Sequence, residues 1–130
     1  MINYLKPEID SLINEMSVLG LAYIGDAVFE LMVRTWLCSL GKVTAKKLHS
    51  EAVKYVSAKA QSAAIEKLLP HLNEDEYSIY KRGRNTHVTN IPRGSSIEEY
   101  HDATGFEALM GYLYLSGKTE RLGELFELVT

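Results

Sequence analysis

A chain of 130 residues can bury one continuous hydrophobic core but is too short for a catalytic domain and a full accessory domain, so we predict one domain over residues 1–130. The formal net charge of -3 excludes a surface that attracts polyanions everywhere, and any nucleic-acid contact must therefore be local. The single cysteine, Cys38, excludes an internal disulfide and a cysteine-based zinc site, and the lack of an apolar run of roughly 18 residues predicts a cytoplasmic protein without a membrane partner.

Apolar residues recur at helical spacing along almost the whole chain, which predicts an all-α fold. In chain order, the predicted helices cover about residues 7–15, 17–40, 44–48, 50–69, 73–81, 97–116 and 120–129. The second of them is apolar around most of its circumference, so we expect it to lie at the centre, surrounded by the others, and to bury Cys38. The polar side of the fourth helix carries Lys54, Lys59, Gln61 and Lys67.

Residues 82–96, RGRNTHVTNIPRGSS, break the helical pattern and predict a loop, because glycine, asparagine, threonine and proline are typical of irregular structure. Cations collect at this break, at Arg82, Arg84 and Arg93. The loop could therefore contact phosphate groups. From the residues alone, a solvated loop that is basic by chance is slightly favoured.

Two acidic residues, Asp26 and Glu107, interrupt the two most apolar helical stretches. A buried carboxylate without compensation costs several kcal/mol or shifts its pKa strongly, so we expect a cation, a water-filled cleft or a bound metal beside each. Glycine and alanine on the helix face of Glu107 leave room for the other helix, so the two acids can converge. Hard divalent cations such as Mg²⁺ take oxygen ligands and support phosphodiester hydrolysis. On spacing alone, surface positions or internal ion pairs remain the favoured alternative.

The strings LAYIGDAVFEL and GFEALMGYLYL resemble the two catalytic helices of the ribonuclease III family. The segments YVSAKAQ and KRGRN lie between them in the matching order. The resemblance covers about residues 18–125 and is strongest to the Mini-ribonuclease III branch, which lacks a double-stranded-RNA-binding domain. It implies a ribonuclease III catalytic-domain-like helical bundle, a homodimer, and Mg²⁺-dependent endonuclease activity on double-stranded RNA.

By this resemblance, Asp26 and Glu107 are the catalytic residues and the protein ligands of Mg²⁺. Full-length ribonuclease III has a glutamate where this chain has Ala22 and an aspartate where it has Thr104, so two protein ligands are missing. We therefore expect weaker metal binding or a less rigid site. Glu30, one helical turn after Asp26, has two equally supported roles, an outer contact to the metal site and a surface ion pair.

The resemblance also implies a substrate, the ends of the 23S ribosomal RNA precursor, and it allows a ribosomal protein as a helper. Duplex RNA is recognised mainly through its phosphates, 2′-hydroxyls and A-form shape, so a few well-placed cations can suffice. The predicted RNA-binding residues are Lys81, Arg82, Arg84, Asn85 and Arg93.

The sequence also allows two other functions. A catalytically silent helical RNA-binding or ribosome-assembly module would keep the scaffold with a depleted set of carboxylates, and Ala22 and Thr104 are its best support. A metal-dependent helical nucleotide hydrolase also places acids on facing helices, but it normally has a richer cluster of acids or histidines.

Overall fold

The protein folds as a bundle of α-helices. The computed structural model describes residues 1–41, 44–86 and 96–130, and this part of the chain contains no strand. The helices are α1 (Asp10–Ile13), α2 (Val18–Ser39), α3 (Ala45–Val56), α4 (Ala58–Leu68), α5 (Glu74–Arg84), α6 (Ile97–Leu115) and α7 (Thr119–Val129), with a 3₁₀ turn at Leu69–His71. The all-α prediction is confirmed. Among these helices, none combines the length and the apolarity that a membrane span requires.

Side-chain caps set the starts of the long helices. Ser17 precedes α2, and its Oγ accepts a hydrogen bond from the backbone N–H of Gly20 at 3.0 Å. Ser96 caps α6 in the same way, and the backbone N–H of Ser96 donates to the side chain of Glu99. Such caps satisfy amide groups that have no partner within the helix. The predicted helices over 17–40, 97–116 and 120–129 agree with the structure to within one residue at each end.

Two predicted helix boundaries in the first half of the chain are wrong. The first helix has only four residues, because the chain before it packs across the end of α6, where the backbone N–H of Ile9 donates to Leu115 O at 2.9 Å. The break between the third and fourth helices lies at Ser57, not near residue 49. Ser57 has an extended backbone and its Oγ caps α4 through the N–H of Ala60. A serine that caps in this way ends one helix and begins the next.

The predicted loop over 82–96 begins later than expected. Helix α5 continues through Arg84, so Arg82 and Arg84 lie on its last turn and not in a loop. Basic residues favour this position because the carboxyl end of a helix carries a partial negative charge. Asn73 and Glu76 form a capping box at the other end of the helix, as their spacing predicts. Residues 87–95, which include Arg93, lie outside the described residues.

Helices α2 and α6 cross at the centre of the fold with their backbones in direct contact. A Cβ atom on Gly25 would overlap the backbone oxygen of Glu107, and a Cβ atom on Gly111 would overlap the backbone oxygen of Leu21. Only a residue without a side chain allows two helix backbones to approach this closely. Each helix contributes one such glycine, and the two contacts lie four residues apart on each helix, so the close approach extends over about one turn of both helices.

The hydrophobic core surrounds this crossing. The buried rings of Phe29 and Phe106 pack edge to face, with their centroids 4.8 Å apart. Other side chains with almost no exposed surface are Leu21, Val33, Ile65, Leu68, Leu109, Leu113 and Leu125. They come from α2, α4, α6 and α7. The central helix is α6, which packs against α2, α4, α5 and α7, whereas one side of α2 is exposed, so the prediction that the other helices surround α2 is wrong. Cys38 is exposed, because it lies on the outer side of the last turn of α2, and the prediction that it is buried is wrong.

One buried ion pair ties α5 to α7. Glu76 is 1% exposed, and its carboxylate accepts hydrogen bonds from Arg121 Nε at 2.8 Å and Nη2 at 2.9 Å. Burial alone would raise the pKa of Glu76, but the hydrogen bonds from Arg121 and from the backbone of Asn73 outweigh it and lower the pKa. Arg121 also donates to the backbone oxygen of His71. This buried acid is therefore fully compensated and plays a structural role.

Candidate active site

The crossing of α2 and α6 brings the two predicted acids together. Asp26 follows Gly25 directly, and Gly25 packs against the backbone of Glu107. The carboxyl groups of Asp26 and Glu107 lie within hydrogen-bonding range of each other. Asp26 is exposed and Glu107 is half-buried. The two carboxyl groups therefore share one site that solvent can reach on the side of Asp26.

The electrostatics of this site differ from those of the Glu76 ion pair. Burial, with the hydrogen bond and negative charge of Asp26, raises the pKa of Glu107 from its usual 4.5 to about 8, while the amide of Gln61 opposes the shift. Neither Asp26 nor Glu107 pairs with a lysine, arginine or histidine in the described ranges. Two acids thus meet with no protein cation to balance them, and this arrangement favours a bound cation.

These residues fit Mg²⁺ better than a metal that needs many protein ligands. No cluster of three or more histidine, cysteine, aspartate or glutamate side chains suited to a metal occurs in the part of the chain that the structure describes. Mg²⁺ is commonly held by one or two carboxylates, while water and substrate phosphate oxygens complete its octahedron. Asp26 and Glu107 supply that number of carboxylates, and the open side of the site admits the other ligands.

The raised pKa of Glu107 predicts how the stability of the metal-free protein depends on pH. Between its usual pKa of 4.5 and about 8, the folded state holds a proton on Glu107 that the unfolded state has released. The stabilising contribution of the protonated group is therefore complete below pH 4.5 and lost as the pH rises through about 8. Urea unfolding in a chelator, over this pH range, should show a steeper loss of unfolding free energy for the unmodified protein than for Glu107→Gln. If unfolding free energy changes with pH in the same way for both proteins, the raised pKa of Glu107 is contradicted.

Gln61 is the part of the site that the sequence analysis missed. Its spacing predicts a position on the polar side of its helix, but it is 1% exposed and its amide reaches toward Glu107. The amide nitrogen has no hydrogen-bond partner among the described residues. A single buried glutamine in a lysine-rich helix face carries no signal in the sequence, because lysine and glutamine have similar helical preferences.

The two positions with missing carboxylates do not contribute polar atoms to the site. Ala22 is buried and has no polar side-chain atom. Thr104 is also buried, and its hydroxyl donates to the backbone oxygen of Tyr100 at 2.9 Å, within its own helix. The carboxylate set of this site therefore consists of Asp26 and Glu107.

Asp102, the next acid on α6, belongs to a different cluster. Its carboxylate accepts hydrogen bonds from Ser62 Oγ at 2.9 Å, Tyr80 OH at 3.2 Å and Arg84 Nε at 2.8 Å. Burial, followed by the charge of Asp102, raises the pKa of Tyr80 to about 12. Asp102 therefore does not replace a missing metal ligand and instead holds the guanidinium of Arg84 against α6.

Glu30 forms the surface ion pair that was one of its two predicted roles. Its carboxylate lies 3.0 Å from Arg34 Nη2, one turn further along α2, and the side chains of Arg34 and Glu30 are 63% and 39% exposed. Exposed pairs of this kind contribute little to stability. Among the described residues, no hydrogen bond or ion pair joins Glu30 to Asp26 or Glu107, and an outer role in the metal site stays a prediction.

The predicted RNA-binding residues meet at the carboxyl end of α5. Lys81, Arg82 and Asn85 line one open surface pocket, which Val18, Ser78 and Thr86 complete. Arg84 lies on the neighbouring face of the same helix turn. Arg93 lies outside the described residues. Four of the five predicted residues are therefore close together in space, on the last turn of α5 and just after it.

The Ribonuclease III domain matches residues 19–118 of the chain, a range that includes both Asp26 and Glu107. A crystal structure of a Fusobacterium nucleatum protein has the same fold, with a TM-score of 0.83 and 33% sequence identity over 91% of this chain and 94% of that one. The fold is thus that of a ribonuclease III domain.

Two similar proteins identify the branch of the ribonuclease III family. The Mini-ribonuclease 3 of Clostridium tetani is 46% identical over 118 residues, which cover 90% of this chain and 78% of the relative. The Mini-ribonuclease 3 of Thermoanaerobacter sp. (strain X514) is 46% identical over 113 residues, which cover 87% of this chain and 80% of the relative. The chain therefore belongs to the Mini-ribonuclease III branch of the ribonuclease III family and is an endoribonuclease.

Proposed function

We propose that this endoribonuclease depends on Mg²⁺ and hydrolyses phosphodiester bonds in double-stranded RNA. One observation carries the proposal: Asp26 and Glu107 meet at the α2–α6 crossing, open to solvent, and no cation of the described chain balances them. An acid pair that served only structure would have a partner such as the one that Arg121 provides for Glu76.

The chain's own residues have distinct roles in this proposal. Asp26 and Glu107 would hold the ion through their carboxylate oxygens, and Asp26, on the exposed side, would face the substrate. When bound, Mg²⁺ activates water as a nucleophile and offsets negative charge on the phosphodiester. Glu107 has to release its proton to become a ligand, and the packed backbone contact with Gly25 keeps its position fixed. The missing acids at Ala22 and Thr104 leave more coordination positions for water and RNA oxygens.

The basic end of α5 is the proposed contact for the RNA backbone. Lys81 and Arg82 are exposed. Arg84 is held by Asp102, so its guanidinium is presented in a fixed orientation. Arginine and lysine in such positions bind phosphate oxygens without reading sequence. The overall charge of -3 agrees with an RNA-binding surface that is confined to one region of the protein.

Neutralising the basic residues at the end of α5 should weaken binding to all RNA duplexes by a similar factor. In an inactive Asp26→Asn background, we expect the double variant Arg82→Gln, Arg84→Gln to bind unrelated RNA duplexes less tightly. The slope of log affinity against log salt should fall by about 0.9 for each phosphate that is no longer bound, as for a B-form duplex. Fluorescence anisotropy at several salt concentrations measures both effects. Lys67→Gln, which changes a lysine at the end of α4, is the matched control. Equal slopes for the background protein, the double variant and the control would remove α5 from the RNA contact.

The direct test of the proposed activity is incubation of the purified protein with a duplex RNA, with Mg²⁺ and with a chelator. We expect cleavage in the reaction with Mg²⁺ and no cleavage in the reaction with the chelator. The second candidate, a catalytically silent RNA-binding or ribosome-assembly module, is favoured by the lack of carboxylates at Ala22 and Thr104. Binding of the duplex without cleavage in either condition would favour it over the nuclease.

The proposed natural substrate is the precursor of 23S ribosomal RNA, processed in the cytoplasm. Mapping the cleavage positions on a precursor transcript tests this choice, and repeating the reaction with ribosomal proteins added tests for a helper.

The proposed active form is a homodimer. Leu19, Tyr23 and Leu31 support it, because these apolar residues of α2 are 42%, 83% and 56% exposed. A solution mass of one chain would contradict the dimer.

A further inference from the structure

Gln61 combines burial, polarity and position in a way that its helix does not require. It is 1% exposed, and its backbone N–H already bonds to Ser57 O at 2.9 Å within the first turn of α4. Its side-chain amide nitrogen has no partner in the ranges that the structure describes. An unmet buried donor costs free energy, so such groups are rare unless they meet a partner in another state of the protein.

The carboxyl group of Glu107 is the acceptor on which the Gln61 amide can act. The amide of Gln61 lies close enough to act on it, in opposition to the burial of that carboxyl. An ionised carboxylate has two oxygens, and a cation that binds one of them leaves the other to be satisfied by a hydrogen-bond donor. The amide of Gln61 can supply that donor from the buried side of Glu107.

A neutral donor suits this position better than a charged one. A lysine or arginine at residue 61 would neutralise Glu107 and compete with the cation, whereas an amide orients the carboxylate and leaves its charge available. With only Asp26 and Glu107 as carboxylates, each of the two has to be well oriented. From this geometry we infer that Gln61 is a positioning residue, which holds the Glu107 carboxylate in the orientation that binds the divalent cation.

This inference rests on the proposed function, and calorimetric titration of the metal-free protein with Mg²⁺ tests the two separately. Gln61→Met keeps the length and most of the volume of the side chain but removes the donor. We expect it to bind Mg²⁺ about 10- to 100-fold more weakly than the unmodified protein, as happens when a metal ligand is deprived of its outer partner. The expected cleavage defect should recover at high Mg²⁺ concentration, whereas Glu107→Gln should not recover.

Ser62→Ala is the matched control, since Ser62 is the next residue of α4 and bonds to Asp102 instead of Glu107. Its Mg²⁺ affinity should equal that of the unmodified protein. Equal affinity for Gln61→Met and the unmodified protein would overturn the inference while leaving the nuclease intact. Failure of the unmodified protein to bind Mg²⁺ would overturn the proposed function and the inference with it. If Gln61→Met does not fold, Gln61→Asn withdraws the same amide from Glu107 by one methylene, and the same decrease in affinity is expected.

Discussion

Replacement of Asp26 by asparagine, or of Glu107 by glutamine, is expected to reduce cleavage of duplex RNA by about a thousandfold or more. Each change removes a carboxylate oxygen from a cation that contributes several kcal/mol of charge stabilisation in the transition state, and every 1.4 kcal/mol or so is a factor of ten in rate. Cleavage of a labelled duplex at saturating enzyme measures the effect. Both variants should keep the helical circular dichroism spectrum and bind the duplex, because neither side chain takes part in an ion pair in the described structure.

Glu30→Gln is the control for this experiment. Glu30 lies on α2 one turn after Asp26, but its only ion pair is the exposed one with Arg34 in the described structure. We expect its cleavage rate to remain within about twofold of the unmodified protein, since exposed ion pairs contribute little. Full activity in Asp26→Asn or Glu107→Gln would remove those residues from the reaction, and an equal decrease in Glu30→Gln would show that the assay measures a general effect of charge.

Among alanine substitutions of the glycines that the structure describes, Gly25→Ala should have the largest effect on the fold. The new Cβ would overlap the backbone oxygen of Glu107, and a backbone atom cannot turn away as a side chain can. We expect a decrease of about 3 kcal/mol or more in unfolding free energy, at or beyond the upper range for overpacked cores, and a fall of about 10 °C or more in Tm. Urea and thermal unfolding measure both. Protein that remains folded should cleave RNA more slowly as well, because the same contact positions Glu107 beside Asp26.

Gly123→Ala is the matched change in a helix without this constraint. Gly123 lies inside α7, and nothing would lie within 4 Å of its Cβ. Alanine there should stabilise the protein by about 0.5–1 kcal/mol, since it lowers the conformational entropy of the unfolded chain and favours the helix. The two glycines are thus expected to respond with opposite signs. A Gly25→Ala protein as stable as Gly123→Ala would show that α2 and α6 do not cross as closely as described.

Several elements of the fold could be predicted because their causes are local. The period of apolar residues defines α2 and α6, and Ser17, Ser96 and the Asn73–Glu76 pair mark helix starts through hydrogen bonds that span three residues. The break at Ser57 was missed because serine occurs both inside helices and at caps. The extension of α5 to Arg84 was missed because the glycine in KRGRN is typical of loops, whereas Gly83 is buried and packs against Gly105 of α6.

The site was predicted in part for a similar reason. Asp26 and Glu107 stand out as acids within apolar helices, and a resemblance to a known family added their role. The sequence leaves two roles open for Glu30, since a spacing of four residues allows an ion pair but does not require one. Gln61 could not be found, because its importance depends on which side of α4 packs against α6.

The sequence by itself determined the helical class, most helix limits and the identity of two acids that do not fit their apolar surroundings. These properties depend on neighbours within about one or two helical turns. Only the tertiary structure decided that Asp26 and Glu107 share a site, that Glu76 is balanced by Arg121, and that Gln61 lies buried beside the acid pair. The physical reason is that close backbone contact at Gly25 and Gly111 joins residues about 80 positions apart, and local propensity carries no information about such contacts.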